Sequence, residues 1–351
     1  MGLRSPLDRK TGARRRSHQN PRHDTKADSM AFGHLHEAPL MAKYLVTGGA
    51  GFIGSHLVSA LHARGDSVVI LDDFSTGSRA NASSLPPSVV LMEGSITDPS
   101  VCGRATEGVD YVLHQAALPS VPRSIEDPIA TNLVNVTGTL NMLIAARDAG
   151  VVRFVFASSS SVYGETRELP KTEAMPCTPC TPYAITKLAA EQYCQAFHGL
   201  YGLETICLRY FNVFGPRQDP DSPYAAAIPI FLRLLHAGKP PVFFGDGSQS
   251  RDFTYVANIV RANLAACSAP REATGGVYNC ACGNRVSVRE AAEALQRLLG
   301  TSITPVTMPE RPGDIRHSHA DITKARAVLG YEPETSFEEG LAETVEWYKS
   351  A

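Results

Sequence analysis

The chain has 351 residues, of which 43% are hydrophobic and 19% charged, and its formal net charge is −2 at pH 7. This length allows two domains, and the composition is typical of a soluble globular enzyme. So small a net charge gives no electrostatic attraction to nucleic acid or to an anionic membrane. No apolar run is expected to reach the length of a membrane span, so neither nucleic acid nor a membrane is an expected partner.

The cysteines and the N-terminal composition bear on location. Eight cysteines in so long a chain do not indicate a disulfide framework, and no apolar segment typical of a secretory signal follows the basic start. A reducing cytoplasm is therefore the expected location. Cys177-x-x-Cys180 and Cys280-x-Cys282 could in principle hold zinc, but they are far apart in sequence. We expect no metal site, and a redox role for the first pair is a hypothesis.

Residues 1–40 differ from the rest of the chain. They contain Arg14-Arg15-Arg16 and several histidines, with few residues that could form a core. This composition predicts a disordered basic arm. Met41 directly precedes the first predicted strand and is a candidate for the native start.

A glycine-rich turn follows the first predicted strand, Lys43–Thr47. Ile53 and Leu57 then begin the apolar stripe of a helix. Strand, glycine turn and helix in this order predict a dinucleotide site, with the helix N-terminus facing the phosphates. The glycines are assigned a tight turn, close approach of the pyrophosphate and helix–strand packing, in the order Gly48, Gly51 and Gly54.

The second predicted strand, Val68–Leu71, ends at Asp72. An acidic residue at this distance from the glycines is expected to bind the adenosine ribose, and its charge would repel a 2′-phosphate. NAD is therefore favoured over NADP. The turn that follows could border the adenosine and contains Asp73, Ser75, Thr76 and Gly77.

Further strands are predicted at 89–92 and 109–114. The second ends in Gln115-Ala116-Ala117, small residues that would let a flat cofactor approach, or that simply pack. A long helix is predicted over Pro128–Ala149. Asn132 and Asn135 lie within it, and a mid-helix asparagine that points at the sheet could order the cofactor or the active-site backbone.

The catalytic prediction rests on Phe154–Lys187. Phe154–Ala157 is a predicted buried strand, and the serine cluster Ser158–Ser161 follows at the end that faces the ligand crevice in an α/β sheet. Tyr183 and Lys187 are four residues apart in a predicted helix, so their side chains share a face. A tyrosine pKa of about 10 would be lowered by a nearby ammonium. Alone, this pair is a weak signal that is more often a surface helix pair.

The chain changes character after a strand predicted at Leu203–Arg209. Beyond Gly215 the alternation of strands and helices weakens and prolines increase. We predict an NAD-binding domain over 41–215 and a smaller UDP-sugar-binding domain over 216–351, with some later segments packing back onto the first. Helices are predicted near 226–236, 287–299 and 339–348. Loop arginines such as Arg251 and Arg316 could clamp phosphates, or form surface ion pairs.

Together these motifs resemble the extended short-chain dehydrogenase/reductase superfamily from Met41 onward. The resemblance implies an α/β fold with a Rossmann-type doubly wound parallel sheet and a smaller C-terminal substrate domain. Within the superfamily the chain is most similar to UDP-hexose 4-epimerases, and in part to those acting on UDP-N-acetylglucosamine. Arg209–Asn212 is among the motifs that carry the resemblance to the superfamily. The segments that carry the similarity to the UDP-N-acetylglucosamine branch are Ser120–Ser124, Gly215–Pro220 and Ser250–Phe253.

The resemblance implies a mechanism. Tyr183, as phenolate, would take the proton of the sugar 4-hydroxyl while hydride passes from C4 to NAD⁺. The 4-keto sugar would then turn over and receive the hydride on its other face. Lys187 would lower the pKa of Tyr183 and bind the nicotinamide ribose, and Ser159, assisted by Ser160, would supply the catalytic hydroxyl. A homodimer joined through the Pro128–Ala149 and Tyr183 helices is also implied.

The resemblance extends to binding residues. Beyond the residues already named, those implied to contact NAD are Phe52, Ile53, Ser95, Ile96, Asn135 and Phe211. Those implied to contact the UDP-sugar, beside Ser159 and Ser160, are Asn212, Arg251, Arg311 and Asp314 for UDP, and Ser120, Gln218, Ala226 and Ser318 around the sugar.

Ser318 falls where the family carries a wall of the sugar pocket. A tyrosine there excludes a 2-N-acetyl group, whereas serine leaves room, so N-acetylated sugars should be accepted alongside UDP-glucose and UDP-galactose. On the other interpretation, Ser318 is a loop residue outside the pocket. The chain departs from the family at Asp73, Ser95 and Pro119, and the last weakens the substrate assignment.

Three alternative functions compete with a UDP-hexose 4-epimerase. A 4,6-dehydratase needs an acid–base pair after the catalytic hydroxyl, and here Ser160-Ser161 occupy those places. A UDP-glucuronate 4-epimerase stays open, because arginines or hydroxyls could receive a carboxylate. A non-catalytic NAD-binding regulatory protein is disfavoured by the presence of Ser159, Tyr183 and Lys187 together.

Overall fold

A computed structural model of the chain describes residues 41–220, 226–310 and 316–350. The predicted arm 1–40 lies outside the described residues, and so do the predicted site residues Arg311 and Asp314.

The strands and helices alternate through the first half of the described chain. The strands are β1 Lys43–Thr47, β2 Ser67–Asp72, β3 Val90–Glu93, β4 Tyr111–His114, β5 Arg153–Ser159, β6 Glu204–Tyr210, β7 Val213–Phe214, β8 Val242–Phe244, β9 Ser250–Arg251, β10 Thr254–Tyr255, β11 Val277–Cys280, β12 Val286–Ser287 and β13 Val306–Met308. The helices are α1 Phe52–Ala63, α2 Arg79–Ser83, α3 Pro99–Thr106, α4 Val121–Glu126, α5 Pro128–Asn132, α6 Thr139–Asp148, α7 Pro182–Tyr201, α8 Ala227–His236, α9 Val256–Ser268, α10 Val288–Leu299, α11 Thr323–Leu329 and α12 Phe337–Ser350.

A seven-stranded sheet of order β11-β6-β5-β4-β1-β2-β3 organises the molecule. All its neighbouring strands pair in parallel. The part from β3 to β6 has the strand order of a doubly wound Rossmann sheet, so the predicted fold class is confirmed. The strand order reverses between β1 and β4, and ligands of such sheets bind outside the carboxyl ends of the strands at this point.

Both faces of the sheet are covered by helices, as expected for parallel strands whose residues are almost continuously apolar. The core on one face is built with residues of α1, α9 and α11, among them Leu57, Ile259 and Leu329. The core on the other face is built with residues of α3, α6 and α7, such as Val101 and Leu143. The central strands β1, β4 and β5 are therefore buried from both sides.

The predicted helix Pro128–Ala149 is interrupted. Leu133–Gly138 forms a π-helical turn between α5 and α6, and such turns are frequent at functional sites. Asn135 lies in this turn and is only 2% exposed, whereas Asn132 is exposed. By length and composition alone, Pro128–Asp148 is a candidate membrane span, with a mean hydropathy of 1.3. The prediction that no apolar run reaches this length is therefore wrong. Within the fold, this segment packs against α3 and α7.

A smaller lobe follows Gly215. Its core joins α8, α10 and α12 to the short strands and includes Phe214, Phe253 and Phe337. The chain does not stay in this lobe: α9 packs against α1, and β11 forms the edge of the main sheet. Residues 256–280 thus belong to the layers that the first half of the chain builds.

A buried histidine connects three elements of the main sheet region. His114, at the end of β4, is fully buried, with Nδ1 2.8 Å from the Thr47 hydroxyl and Nε2 3.0 Å from that of Thr139. Burial, reinforced by the charge of Lys187, lowers the His114 pKa to about 3. The ring is therefore neutral in the folded chain at pH 7 and joins β1, β4 and α6 by hydrogen bonds.

This neutral histidine predicts a pH dependence of stability. In the unfolded chain the His114 pKa returns to about 6.5, so between pH 6.5 and 3 the unfolded state binds a proton that the folded state does not. The free energy of unfolding should therefore fall with decreasing pH in this window, with His114 contributing a slope of up to about 1.4 kcal/mol per pH unit.

The measurement is urea unfolding followed by circular dichroism between pH 4 and 7. His114→Gln should flatten the slope relative to the wild type, and His236→Gln, which removes an exposed histidine, is the control. Equal slopes in all three chains would contradict the assignment.

Candidate active site

The first turns of α7 carry Tyr183 and Lys187 to the carboxyl end of β5. The helix begins at Pro182, and the Thr181 hydroxyl caps it by accepting a hydrogen bond from the Ala184 N–H at 3.3 Å. The Tyr183 N–H donates to the Ser124 hydroxyl at 3.1 Å, which ties α7 to α4. The helix therefore starts at a position defined by two side-chain contacts.

Lys187 is buried, with 4% of its surface exposed. Its ammonium donates to the Ala157 carbonyl in β5 at 2.8 Å and lies 6.0 Å from the centre of the Tyr183 ring. Ser159 is two residues beyond Ala157, at the end of the same strand. The structure thus brings Ser159, Tyr183 and Lys187 to one place.

Ser159 also begins a short 3₁₀ turn over Ser160–Tyr163. Its hydroxyl accepts from the Ser161 N–H at 3.2 Å and lies 2.9 Å from the Ser161 hydroxyl. Ser159 and Ser160 are both half-buried. A serine in this setting is held in position yet remains accessible to a ligand.

Burial dominates the electrostatics of this group. It raises the pKa of Tyr183, against an opposing effect of the Ser159 hydroxyl. Burial also lowers the pKa of Lys187 to about 8. In the chain by itself the Tyr183 pKa is therefore raised, contrary to the predicted lowering, because loss of hydration destabilises the phenolate.

The glycine turn lies at the carboxyl end of β1, between β1 and α1. Gly48 has φ of +66°, and a Cβ on it would lie 2.9 Å from the backbone of Ala116. A Cβ on Gly54 would lie 2.0 Å from the Gly48 carbonyl oxygen, so this close helix–strand packing requires glycine. Gly51 caps α1 without a side-chain hydrogen bond, and the first turn holds no acidic residue. The N-terminus of α1 can therefore receive an anion.

Asp72 closes the other side of this turn. Its carboxylate accepts from the N–H of Ala50 at 2.9 Å and from the N–H of Phe74 at 2.8 Å. Burial raises its pKa. Phe74 has a left-handed φ of +56°, which turns the chain sharply after β2. Of the predicted adenosine contacts in this turn, Gly77 is half-buried beside Asp72, and the exposed ones are Asp73, Ser75 and Thr76.

The segment after β4 is held from several sides. The side chain of Gln115 donates to that of Asn263 on α9 at 3.2 Å. The Asn135 side chain accepts from the Leu118 N–H at 2.8 Å and donates to the Thr186 hydroxyl at 3.1 Å. Asn135 therefore orders the backbone between β4 and α4 and joins it to α7. Ala116 and Ala117 lie between these contacts and are half-buried.

Other predicted cofactor residues differ in accessibility. Phe52, Ile53 and Ser95 are half-buried, and Ile96 is 4% exposed. Phe211 is fully buried in the core beside Tyr163, and its N–H donates to the Cys280 carbonyl. The predicted cofactor contact of Phe211 stays a prediction, and with its side chain in the core a contact through its backbone is the more accessible one.

Several predicted substrate residues meet in the smaller lobe. The Ser318 N–H donates to the Ser250 carbonyl at 3.0 Å, and the neighbouring Arg251 donates to that carbonyl as well. His317 lies 2.9 Å from the Ser250 hydroxyl, and burial together with nearby arginines lowers its pKa. These arginines are Arg285, Arg316 and Arg251. The cluster is suited to a polyanion such as a diphosphate.

The remaining substrate predictions occupy loops and caps. Asn212 is exposed and has a left-handed φ of +32° directly after β6, an unusual conformation of the kind found at functional sites. The Ser120 hydroxyl caps α4 by accepting from the Arg123 N–H at 3.1 Å. Gln218 is half-buried and Ala226 is exposed at the start of α8.

Sequence reasoning missed several residues that support the site. Ser124, Asn263 and Thr186 make contacts described above, and no local pattern marks them. Glu191 is different, because it lies four residues after Lys187 and eight after Tyr183, on their face of α7. That spacing could have identified Glu191 from the sequence as a residue that supports the site.

A metal centre was not expected. In the ranges 41–220, 226–310 and 316–350, no group of three or more His, Cys, Asp or Glu side chains could hold a metal ion.

A family model described as the NAD dependent epimerase/dehydratase family matches residues 44–281. The chain belongs to this family. Its cofactor is NAD, and the predicted extended short-chain dehydrogenase/reductase assignment is confirmed.

This chain matches several relatives with named activities over almost the whole length of each relative. A UDP-glucose 4-epimerase of Mycolicibacterium smegmatis is 41% identical over 311 residues, which is 87% of this chain and 98% of the relative. A UDP-glucuronate 4-epimerase of Thermodesulfobacterium geofontis is 35% identical over 319 residues, 88% of this chain and 97% of the relative. A solved UDP-N-acetylglucosamine 4-epimerase of Methanobrevibacter ruminantium, in complex with UDP-N-acetylmuramic acid, has 40% identity and a TM-score of 0.84, covering 88% of this chain and 99% of that one.

Proposed function

We propose that this chain is an NAD-dependent UDP-sugar 4-epimerase. It interconverts UDP-N-acetylglucosamine with UDP-N-acetylgalactosamine, and UDP-glucose with UDP-galactose, through a transient 4-keto sugar. The observation that carries the proposal is the convergence of Ser159, Tyr183 and Lys187 at the end of β5. The named activities of the relatives and of the similar solved structure support it.

The residues around the glycine turn fit the cofactor. The uncapped N-terminus of α1 would receive the pyrophosphate, with Gly51 leaving room for it, and Asp72 would receive the adenosine ribose. The close fit between Gly48 and Ala116 leaves the turn compact beside β4. When bound, NAD⁺ supplies a hydride acceptor and a positive charge that favours the phenolate of Tyr183.

The chain's own residues then perform the proton transfer. The Ser159 hydroxyl accepts or donates a hydrogen bond at the sugar 4-oxygen and holds it against Tyr183. The Tyr183 phenolate removes the proton of the 4-hydroxyl and later returns one to the 4-oxygen. Lys187, fixed to the Ala157 carbonyl, stabilises the phenolate and would contact the nicotinamide ribose. Because the proton and the hydride both return, the cycle causes no net oxidation.

The substrate assignment rests on the smaller lobe. Arg251 would bind the diphosphate, and its backbone neighbour Ser250 holds Ser318 in place. Through this contact Ser318 is close to Arg251, the residue proposed to bind the diphosphate, which supports a role for Ser318 in the sugar pocket. Serine is small enough to leave room for a 2-N-acetyl group.

We further propose a homodimer that buries exposed apolar residues of α4–α7. Ile129 is 80% exposed and Ile185 is 53% exposed, although the helices that carry them are packed together. The other exposed apolar residues of these helices are Ile125, Leu133, Ile144, Tyr193, Leu200 and Tyr201. Two apolar stripes on adjacent helices form a patch of the kind that mediates subunit contacts.

The cysteines are all free thiols. Free thiols are suited to a reducing compartment, which supports the cytoplasm as the proposed location.

The catalytic assignment predicts the behaviour of Tyr183→Phe. Removing the phenol oxygen removes the base, so epimerisation should fall by at least about 100-fold, while NAD stays bound because the glycine turn is unchanged. The assay incubates each chain with UDP-N-acetylglucosamine, UDP-glucose and UDP-glucuronate and quantifies the C4 epimers. Near-normal rates in the variant would refute the assignment of Tyr183 as the base. Exclusive turnover of UDP-glucuronate in the wild type would favour that alternative.

The substrate assignment predicts the behaviour of Ser318→Tyr. The larger side chain should occupy the space of the 2-N-acetyl group, so the ratio of kcat/KM for UDP-N-acetylglucosamine to that for UDP-glucose should fall by about tenfold or more. Ser318→Ala, which removes only the hydroxyl, should keep the wild-type ratio. An unchanged ratio in the tyrosine variant would place Ser318 outside the pocket.

The dimer assignment predicts that Ile129→Glu gives monomers. A carboxylate within an apolar subunit contact would be buried without a partner, which is strongly unfavourable. Sedimentation should show a dimer for the wild type and for Val152→Glu, an exposed apolar position outside these helices. A dimeric Ile129→Glu variant would mean that subunits meet elsewhere.

A further inference from the structure

Glu191 is a buried carboxylate for which the proposed reaction assigns no role. It is 1% exposed and lies on α7 one turn after Lys187 and two turns after Tyr183. The three side chains therefore project from one face of the helix. Glu191 is thus the only buried acidic side chain on that face of α7, and it follows the proposed catalytic pair by one turn.

The carboxylate of Glu191 connects α7 to two strands. The hydroxyl of Ser158, in β5, donates to Oε1. Arg209, in β6, donates to Oε1 from Nε at 2.9 Å and to Oε2 from Nη2 at 2.8 Å. This two-pronged geometry is the strong form of a carboxylate–guanidinium contact.

The contacts to β5 fall on consecutive residues. Lys187 holds the Ala157 carbonyl, Glu191 holds the Ser158 hydroxyl, and Ser159 follows directly. The last residues of the strand are thereby attached to the same helix that carries Tyr183. A change at Glu191 would be transmitted to Ser159 through a single peptide unit.

Arg209 extends the attachment to the loop that precedes α7. Its Nη2 also donates to the Cys177 thiol at 3.0 Å, and its guanidinium lies 4.7 Å from the centre of the Tyr163 ring. Arg209 is 4% exposed, so its charge needs a partner within the protein. Glu191 supplies that partner.

We propose that Glu191 and Arg209 are positioning residues that hold Ser159 and Lys187 in place against Tyr183. This inference rests on the proposed epimerase function. The pair contacts neither substrate nor cofactor in this assignment, and it acts through β5 and α7.

The charge of Glu191 also acts on Lys187. Burial lowers the pKa of Lys187 to about 8, and the Glu191 carboxylate opposes this effect. Without that carboxylate the pKa of Lys187 would fall further, and the unpaired charge of Arg209 would act in the same direction. The titratable and charged groups that face Lys187 or Glu191 are Tyr183 and Cys194 on α7, His114 on β4, Cys207 and Arg209 on β6, and Cys177 in the preceding loop. Tyr163, after β5, faces Arg209, and Glu173 and Lys324 line the same cavity as Glu191 and Arg209.

The test compares Glu191→Gln with Glu204→Gln. Glu204, the first residue of β6, pairs with Arg153, the first residue of β5, at 2.7 Å. Its variant therefore also breaks a largely buried ion pair, but at the end of the sheet away from the proposed site. With UDP-N-acetylglucosamine or UDP-glucose, whichever the wild type converts, kcat of Glu191→Gln should fall between about 10- and 100-fold with little change in KM. The pH at which kcat declines on the alkaline side should also move lower. Glu204→Gln should keep the wild-type kcat and pH profile.

A second variant separates geometry from charge. Ser158→Ala keeps the ion pair and removes the contact to β5, so kcat should fall while the alkaline limb of the pH profile stays in place. Ser158→Ala also tests the positioning role if Glu191→Gln does not fold, because a normal kcat in Ser158→Ala would then overturn the inference.

The remaining outcomes are distinct. An active wild type with a normal kcat and pH profile in Glu191→Gln, or an equal loss in Glu204→Gln, would refute the positioning role alone. A wild type that converts no UDP-sugar would remove the proposed function, and this inference with it.

Discussion

The docking of α7 against the carboxyl end of β5 is the constraint on which the proposed chemistry depends. A buried ammonium is costly unless it is paired, and Lys187 has a neutral carbonyl as its hydrogen-bond acceptor. Its charged form is therefore only weakly favoured. The same burial raises the pKa of Tyr183, so the chain's own interactions do not favour its phenolate. The positive charge of bound NAD⁺ would supply the missing stabilisation of the phenolate, which would link reactivity to cofactor binding.

The charges of the molecule are separated according to the ligands that they are proposed to meet. At the cofactor end, the proposed binding groups are backbone N–H groups of α1 and the carboxylate of Asp72. At the substrate end, the arginines near His317 provide full positive charges. A dinucleotide and a diphosphate sugar could thus be bound at neighbouring places by different means. The chain between them contributes Ser159 and Tyr183, which carry no charge when protonated.

Local patterns predicted much of the main sheet and supplied the residues proposed to bind the cofactor. Strands β1, β2 and β5 contain continuous apolar runs, and parallel strands buried on both faces require such runs. The glycine turn and Asp72 are likewise encoded within a short segment. By contrast, β11 carries the polar Asn279 among its four residues, so it is not marked as a continuous apolar run. Its place beside β6 depends on pairing between residues about 70 positions apart, a separation that no local pattern conveys.

The errors have physical causes of the same kind. The π-helical turn in the long helix accompanies contacts of Asn135 with Leu118 and Thr186, which come from other elements. The direction of the Tyr183 pKa depends on how much water the fold removes, and spacing along a helix does not report this.

The return of residues 256–280 to the main sheet limits how the protein can be divided. The edge strand β11 and the Asn263 contact to Gln115 are encoded after the smaller lobe has begun. A fragment that stopped near Gly215 would leave β6 as an open edge and part of the cofactor cleft unsupported. New substrate preferences in this architecture would therefore arise by exchange of loops rather than by transplanting a C-terminal half.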